Sequence, residues 1–313
     1  MPKFLVEGGN PIQGAIQPAG NKNEALPVLA ASLLTSEPIV FSNVPEIGDV
    51  QSMLNLLELC GANVAEVGNH EFQIKADNLQ NIHLPDELCR KIRASILLLS
   101  PLLYRLGEVR LPFPGGDQIG RRRIDSHLLG LEHMGAEWEI HDGCYHVKRN
   151  SRLRGADILL DEASVTATEN LIMAAVLAEG TTILRNAASE PHVQQLCLFL
   201  NNLGANILGI GSNVLTIEGV DSLKGGSHLI AADYLEVGSF IGLAAITNGE
   251  LLIQNAAPGY LRMVLNQIKR LGIEVELRGD DLFVPRNQAL EIHPDLMTSL
   301  VKIDDGPWPM FPA

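Results

Sequence analysis

Aromatic residues make up only 4% of this 313-residue sequence, and its 23 Lys and Arg are outnumbered by 37 Asp and Glu. The first scarcity leaves no series of rings on which nucleobases could stack. The second gives a formal net charge of −14, which repels nucleic acid and anionic membranes, so neither is expected as a partner. Cysteine is sparse too. Cys60, Cys89, Cys144 and Cys197 form no CxxC pair and no Cys–His spacing, which argues against a disulfide frame or a zinc site and for reduced, buried thiols in a cytoplasmic protein. The stretch Met1 to Gly9 lacks the apolar run of a signal peptide. The most apolar stretch, Ile96 to Leu106, is broken by Pro101 and is too short to span a bilayer.

What is present is a chain with 46% hydrophobic residues and length for about two domains. It repeats itself. A glycine-centred helix stop recurs at Cys60-Gly61-Ala62, Met134-Gly135-Ala136, Leu203-Gly204-Ala205 and Leu271-Gly272-Ile273, with glycines 74, 69 and 68 residues apart. Glycine there suits a left-handed helix C-cap, and each stop leads into two short alternating stretches around a turn. A second echo is a helix end, tight turn and strand at Leu33–Val40, Leu177–Leu184 and Ile246–Ile253, the last two closed by Asn186-Ala187-Ala188 and Asn255-Ala256-Ala257. The unit is therefore strand, helix, strand, helix and two strands over about 70 residues, too small to bury its helices alone, so units must pack together. Apolar periodicity places helices at Leu26–Leu34, Ile96–Leu103, Leu171–Leu177 and Phe240–Ile246. Strands at Leu159-Leu160 and Leu229-Ile230 lead into the last two, and Leu300–Ile303 supplies a further strand. Gly209-Ile210-Gly211 falls in a hairpin and reads as turn chemistry, not as a dinucleotide fingerprint.

Chemistry concentrates between Pro112 and His127. Two prolines and the pair Gly115-Gly116 make an irregular loop, with Asp117 on backbone expected to be mobile. Arg121, Arg122 and Arg123 follow at a helix start, where free N–H groups and the helix dipole add to the guanidinium charge and favour an anion. Lys22 and Asn23 stand at the start of the first apolar helix, and Arg93 opens another, in Arg93-Ala94-Ser95. Ser164-Val165-Thr166 opens a third, with Ser164 as its N-cap.

The run Pro-Gly-Gly-x-x-Ile-Gly-x-Arg-x-Ile-Asp-x-His resembles the signature loop of the UDP-N-acetylglucosamine 1-carboxyvinyltransferases, enolpyruvyl transferases of peptidoglycan synthesis. This chain has Asp117 where that family usually has Cys, Arg123 where it usually has Pro, and Tyr234 where it commonly has Arg. The resemblance covers the whole chain and implies an α/β enolpyruvyl transferase fold of repeated βαβαββ units, an inside-out α/β barrel in two domains with the second incomplete. One domain would span residues 22–230 and carry the loop 112–124; the other would join 1–21 to 231–313. The reaction implied is transfer of the enolpyruvyl group from phosphoenolpyruvate to UDP-N-acetylglucosamine, with no metal and no cofactor. Asp117 is then the acid that protonates the methylene carbon, its carboxyl raised by desolvation on loop closure against the pull of nearby arginines. Lys22 and Arg122 hold the leaving phosphate, and Lys22 and Asn23 hold phosphoenolpyruvate. Arg93, Ser164 and Val165 contact the UDP-sugar, and Arg123, Ile124, Asp125 and Ser126 count with the substrate-binding residues. Asp125 and His127 orient the arginines and the loop. The family's catalytic base and a later arginine lie past the position of Ala313, so the reading expects a truncated chain, inactive alone. Rival readings are 3-phosphoshikimate 1-carboxyvinyltransferase, against which the Pro-Gly-Gly loop argues, a transferase acting on another nucleotide, and a non-catalytic UDP-sugar-binding fragment. The oligomeric state is left open.

Overall fold

A computed structural model describes residues 3–80, 84–116, 123–294 and 302–311. The chain divides into two units, Met1–Gly20 with Ala231–Ala313, and Asn21–Ile230. The first crossing lies one residue from the expected one.

The chain enters on β1 (Gln13–Ile16) and then builds three copies of one plan in the larger unit. The first copy is α1 (Lys22–Ala31), β2 (Ile39–Ser42), α2 (Gly48–Leu59), β3 (Asn63–Gly68) and β4 (Glu71–Lys75). The second is α3 (Asp86–Cys89), a 3-10 turn at Arg93–Leu98, α4 (Leu99–Leu106), β5 (Glu108–Pro112), α5 (Asp125–His133), β6 (Ala136–His141) and β7 (Cys144–Arg149). The third is β8 (Asp157–Leu159), α6 (Val165–Ala175), β9 (Thr181–Arg185), α7 (Pro191–Asn202), β10 (Asn206–Leu208) and β11 (Val214–Glu218), followed by β12 (Gly226–Leu229). The smaller unit holds α8 (Tyr234–Ile246), β13 (Glu250–Ile253), α9 (Arg262–Lys269), β14 (Glu276–Arg278) and β15 (Asp281–Val284).

Each copy makes its own sheet, ordered β12-β2-β4-β3, β5-β7-β6, β10-β11-β9-β8 and β1-β13-β15-β14. Among the described residues these stay separate sheets, and no closed barrel forms, because the antiparallel hairpin of each copy completes its own ladder. The inside-out arrangement is real in another sense. In the larger unit α1 packs on α2 and α7, and α6 on α4, α5 and α7, so the helices meet one another in the interior. α1 from Glu24 to Ala31 and α6 from Ala167 to Ala175 are buried on every face, as helices apolar all round must be.

The four stop glycines all take left-handed backbone, with φ of 97° at Gly61, 95° at Gly135, 105° at Gly204 and 75° at Gly272. Helices begin earlier than apolar periodicity shows. α1 starts at Lys22, capped by Asn21; α6 at Val165, capped by Ser164; and α8 at Tyr234, capped by Asp233. The polar first turns carry no apolar signal, but the cap side chains satisfy their free N–H groups. The strand expected at Leu229-Ile230 does not join the sheet of α8. As β12 it lies parallel to β2, while β1 lies parallel to β13 and leads the smaller unit's sheet. In these two sheets a parallel strand covers the edge that the hairpin leaves open, and the chain supplies it from far away in the sequence. Of the strand expected at Leu300–Ile303, residues 300 and 301 lie outside the described residues, and Lys302 and Ile303 are not in a strand.

Candidate active site

Several chain segments deliver polar groups to one cavity of about 670 Å³, lined entirely by the larger unit. α1 presents Lys22 and Asn23 from its first turn, where the Asn21 side chain accepts the Glu24 N–H at 3.0 Å and fixes the helix start. α6 presents Val165 and Thr166, with Ser164 as its cap accepting the Ala167 N–H at 3.4 Å. The segment before α4 adds Lys91 and Arg93, and Arg123 enters from the residues leading to α5. Two helix N-termini and four cations thus face one space, an arrangement suited to an anionic ligand.

The cations are not all equally available. Lys22 Nζ lies 3.1 Å from Asp49 Oδ2, with both side chains near half exposed. Arg123 is held twice, by Asp125 through Nε at 2.9 Å and by Asp161 through Nη1 at 2.7 Å, and both hydrogen bonds raise its pKa further. Ser126 Oγ donates to Asp161 at 3.0 Å, and Arg93 Nη2 donates to the Arg123 carbonyl at 3.0 Å. The segment 123–126 is thereby a cross-tied strap, and the charge of Arg123 is answered by two carboxylates.

Of the residues singled out in the sequence, the structure brings Lys22, Asn23, Arg93, Arg123, Ser164 and Val165 to this cavity. It does not bring Ile124, which is buried in the core cluster, nor Asp125 and Ser126, which serve the strap. Asp117 and Arg122 lie outside the described residues. Five ionisable lining residues were not among the candidates: Asp49, Lys91, Glu162, Glu169 and His192. An ionisable Glu169 just before an apolar helical run was the one readable hint among them.

The glycines at the loop base serve contact, where the sequence suggested mobility. The Gly115 N–H donates to the Cys89 carbonyl at 3.2 Å, and the Gly116 N–H to the Arg90 carbonyl at 3.1 Å. A Cβ on Gly115 would stand 1.7 Å from the Arg90 oxygen. Gly116 has φ of 86°, and a Cβ there would stand 3.0 Å from the Arg93 nitrogen. The loop leaves the fold pinned against the segment that carries Lys91 and Arg93.

The cavity floor holds buried ionisable groups that burial makes neutral. Glu169 is 1% exposed; burial, and then the nearby Glu190 charge, push its carboxyl well above the usual range. Burial pushes His192 down to about 4. Among the described residues Glu169 Oε1 and His192 Nδ1 have no hydrogen-bond partner. His127 is wholly buried and is pushed down to about 3, by burial first and then by the Arg93 charge. Among the described residues it bonds Thr166 and Asn170, inside the helix layer.

The sheets and the cavity define an enolpyruvyl transferase fold. The enolpyruvyl transferase NikO from Streptomyces tendae superposes with a TM-score of 0.78 at 23% identity, over 90% of this chain and 67% of that one. EPSP synthase from Acinetobacter baumannii gives 0.72 at 17%, over 89% and 66%. The family model of EPSP synthase (3-phosphoshikimate 1-carboxyvinyltransferase) matches residues 6–312, and the chain belongs to that family. Relatives in sequence carry another name. UDP-N-acetylglucosamine 1-carboxyvinyltransferase of Treponema denticola is 50% identical over 100% of this chain and 73% of its own length. Those of Treponema pallidum, at 49% identity over 99% and 72%, and Bacteroides thetaiotaomicron, at 44% over 99% and 72%, are similar. Among the described residues no helix is long and apolar enough to cross a membrane.

Proposed function

We propose that this chain carries the UDP-sugar- and phosphoenolpyruvate-handling face of an enzyme that transfers the enolpyruvyl group from phosphoenolpyruvate to UDP-N-acetylglucosamine, in the cytoplasm, for peptidoglycan synthesis. The observation that carries the reading is the cavity itself. Lys22, Asn23, Arg93, Ser164 and Val165, which match the family's motifs one by one, come from three separate stretches and line one space. The relatives at 44 to 50% identity bear the name of that activity and supply the acceptor.

Lys22 and the free N–H groups at the start of α1 would draw the phosphate and carboxylate of phosphoenolpyruvate, with Arg122 joining from the loop. Asp49, also on the cavity wall, accepts from Lys22 Nζ at 3.1 Å and ties that side chain to the site. Ser164 and Val165, at the start of α6, would hold the nucleotide part beside Arg93. Asp117 would protonate the methylene carbon, and for that it must be uncharged when the loop closes. Arg123, engaged by Asp125 and Asp161, does less to oppose that protonation than an unpaired arginine would.

The test is phosphate release from phosphoenolpyruvate by the protein at the full length its gene encodes, with UDP-N-acetylglucosamine or shikimate 3-phosphate as acceptor. Release with the first alone is the expected result. Release with shikimate 3-phosphate, or without any acceptor, overturns the reading. A binding titration of the 313-residue chain with UDP-N-acetylglucosamine is expected to saturate.

A further inference from the structure

Buried between α4, α5 and α6 is a chain of hydrogen bonds whose direction can be read from its first donor. The Ser100 backbone N–H can only donate, and it bonds Asn170 Oδ1 at 3.1 Å. That fixes the amide, so Asn170 Nδ2 faces His127 Nδ1 at 3.0 Å and the Ile96 carbonyl at 3.5 Å. Nδ1 of a neutral imidazole facing an N–H must accept. The other nitrogen then carries the proton, and Nε2–H donates to Thr166 Oγ1 at 3.2 Å. The imidazole is neutral at physiological pH, since burial and the Arg93 charge depress its protonation.

Thr166 Oγ1 is thus an acceptor within the protein, and its own hydrogen has to point elsewhere. Among the described residues no group accepts it. Thr166 is half-buried on the cavity wall, one turn before Glu169, whose Oε1 is also unpartnered and whose carboxyl burial keeps protonated. This wall of α6 offers donors without charge, beside the cations on the walls opposite.

Resting on the function proposed above, we propose that Thr166 is a ligand-binding residue whose hydroxyl, oriented by the chain Ser100–Asn170–His127, donates to an acceptor oxygen of the nucleotide-sugar in the cavity. The relay turns the proton of Thr166 outward before any ligand arrives, so a free rotor does not have to be ordered on binding. Such a donor also discriminates. A ligand presenting an N–H or a methyl at that point would meet a hydroxyl that cannot turn to accept without leaving His127 Nε2–H unpaired.

The experiment has two arms on the 313-residue chain. In the first, calorimetry with UDP-N-acetylglucosamine compares the wild type with Thr166→Val, which keeps the shape and loses the hydroxyl, and Thr166→Ser, which keeps the hydroxyl. The valine variant is expected to bind about tenfold more weakly and the serine variant within about threefold of wild type. In the second, nitrogen-15 NMR of the imidazoles at neutral pH is expected to show His127 as the Nε2–H tautomer. Equal binding by wild type and Thr166→Val, equal losses in both variants, or the Nδ1–H tautomer each overturn this inference while leaving the proposed function standing. Absence of saturable UDP-N-acetylglucosamine binding by the wild type overturns both.

Discussion

Glu24 and His228 are 204 residues apart in the chain, yet carboxylate and imidazole meet at 2.9 Å, 2% and 7% exposed. His228 stands on β12 and also packs against Phe199 and Phe41, with ring centroids at 5.0 and 6.5 Å. Glu24 belongs to the first turn of α1, two residues from Lys22. The pair therefore fixes the helix start that faces the cavity from behind. Removing the imidazole takes a hydrogen-bonding partner from a buried carboxyl, and that cost exceeds what the pair itself contributes. His228→Ala is expected to lower the stability of the larger unit by about 3 kcal/mol or more in urea unfolding. Glu24→Gln, which keeps a hydrogen-bonding partner, should cost clearly less. Equal losses would mean that the aromatic packing, and not the pair, does the fastening.

Gly115→Ala should be the most damaging single-atom-scale change at the loop base. Its Cβ would overlap the Arg90 carbonyl, so the backbone must separate and the Gly115 N–H loses the Cys89 carbonyl. Gly116→Ala adds strain from its positive φ, about 1 kcal/mol, but leaves a tolerable contact. The expected order in UDP-N-acetylglucosamine affinity is wild type, then Gly116→Ala, then Gly115→Ala. The reverse order in a calorimetric titration would show that the pinning seen here is not what positions Lys91 and Arg93.

Stability should be bounded on both sides by buried neutral groups. His127 and His192 have folded pKa values of about 3 and about 4 against 6.5, so the unfolded chain takes up protons that the folded chain refuses as pH falls below 6.5. Each proton steepens the acid limb by up to about 1.4 kcal/mol per pH unit. Glu169 acts oppositely. Its folded carboxyl keeps a proton that the unfolded one releases above 4.5, so stability is lost as pH rises from there towards the folded value. His192→Gln is expected to flatten the acid limb, and Glu169→Gln to raise stability on the alkaline side. Urea midpoints from pH 4 to 9 measure both, and a Glu169→Gln variant less stable than wild type at pH 8 would show that the carboxyl is charged in the fold.

Asp117 in place of the family's usual cysteine predicts insensitivity to epoxides such as fosfomycin, since a protonated carboxyl is a poor nucleophile. Asp117→Cys, in the protein at full gene-encoded length, is expected to become inactivated by the epoxide and to shift its optimum to higher pH, as a thiol of pKa about 8.5 stays protonated further up the scale. The other cysteines offer no substitute target: all four are buried, and burial raises Cys60, Cys89 and Cys197 to about 12 or near it. Inactivation of the Asp form as fast as the Cys form would remove Asp117 from the acid's role.

Legibility followed sequence distance. Gly61, Gly135, Gly204 and Gly272 announced themselves because a left-handed C-cap is a local demand on one residue. Asn186 and Asn255 were visible as an echo, and the structure adds Asn43 to them, all three with φ between 49° and 58°. Nothing local tells that Lys22 meets Asp49 or that Arg123 meets Asp161, because the first pair is made by two helices packing within one copy and the second by packing between copies. Gly115 and Gly116 were visible as glycines but ambiguous in purpose, since freedom to move and room for close approach call for the same missing side chain. The strand β12 could be read as a strand at Leu229-Ile230, but not as the partner of β2, because periodicity carries no address.

The placement of β12 imposes an order of events on synthesis. The edge of β2 is completed by residues made last in the larger unit, and the Asn43 side chain waits for the Ile230 carbonyl 187 residues downstream. During translation the first copy stands with one raw edge, and His228 does not reach Glu24, until the third copy has left the ribosome. Closing so long a loop is slow. The hairpin of every copy pairs within its own stretch of chain, so what waits is the seal at the β2 edge and not the copies themselves.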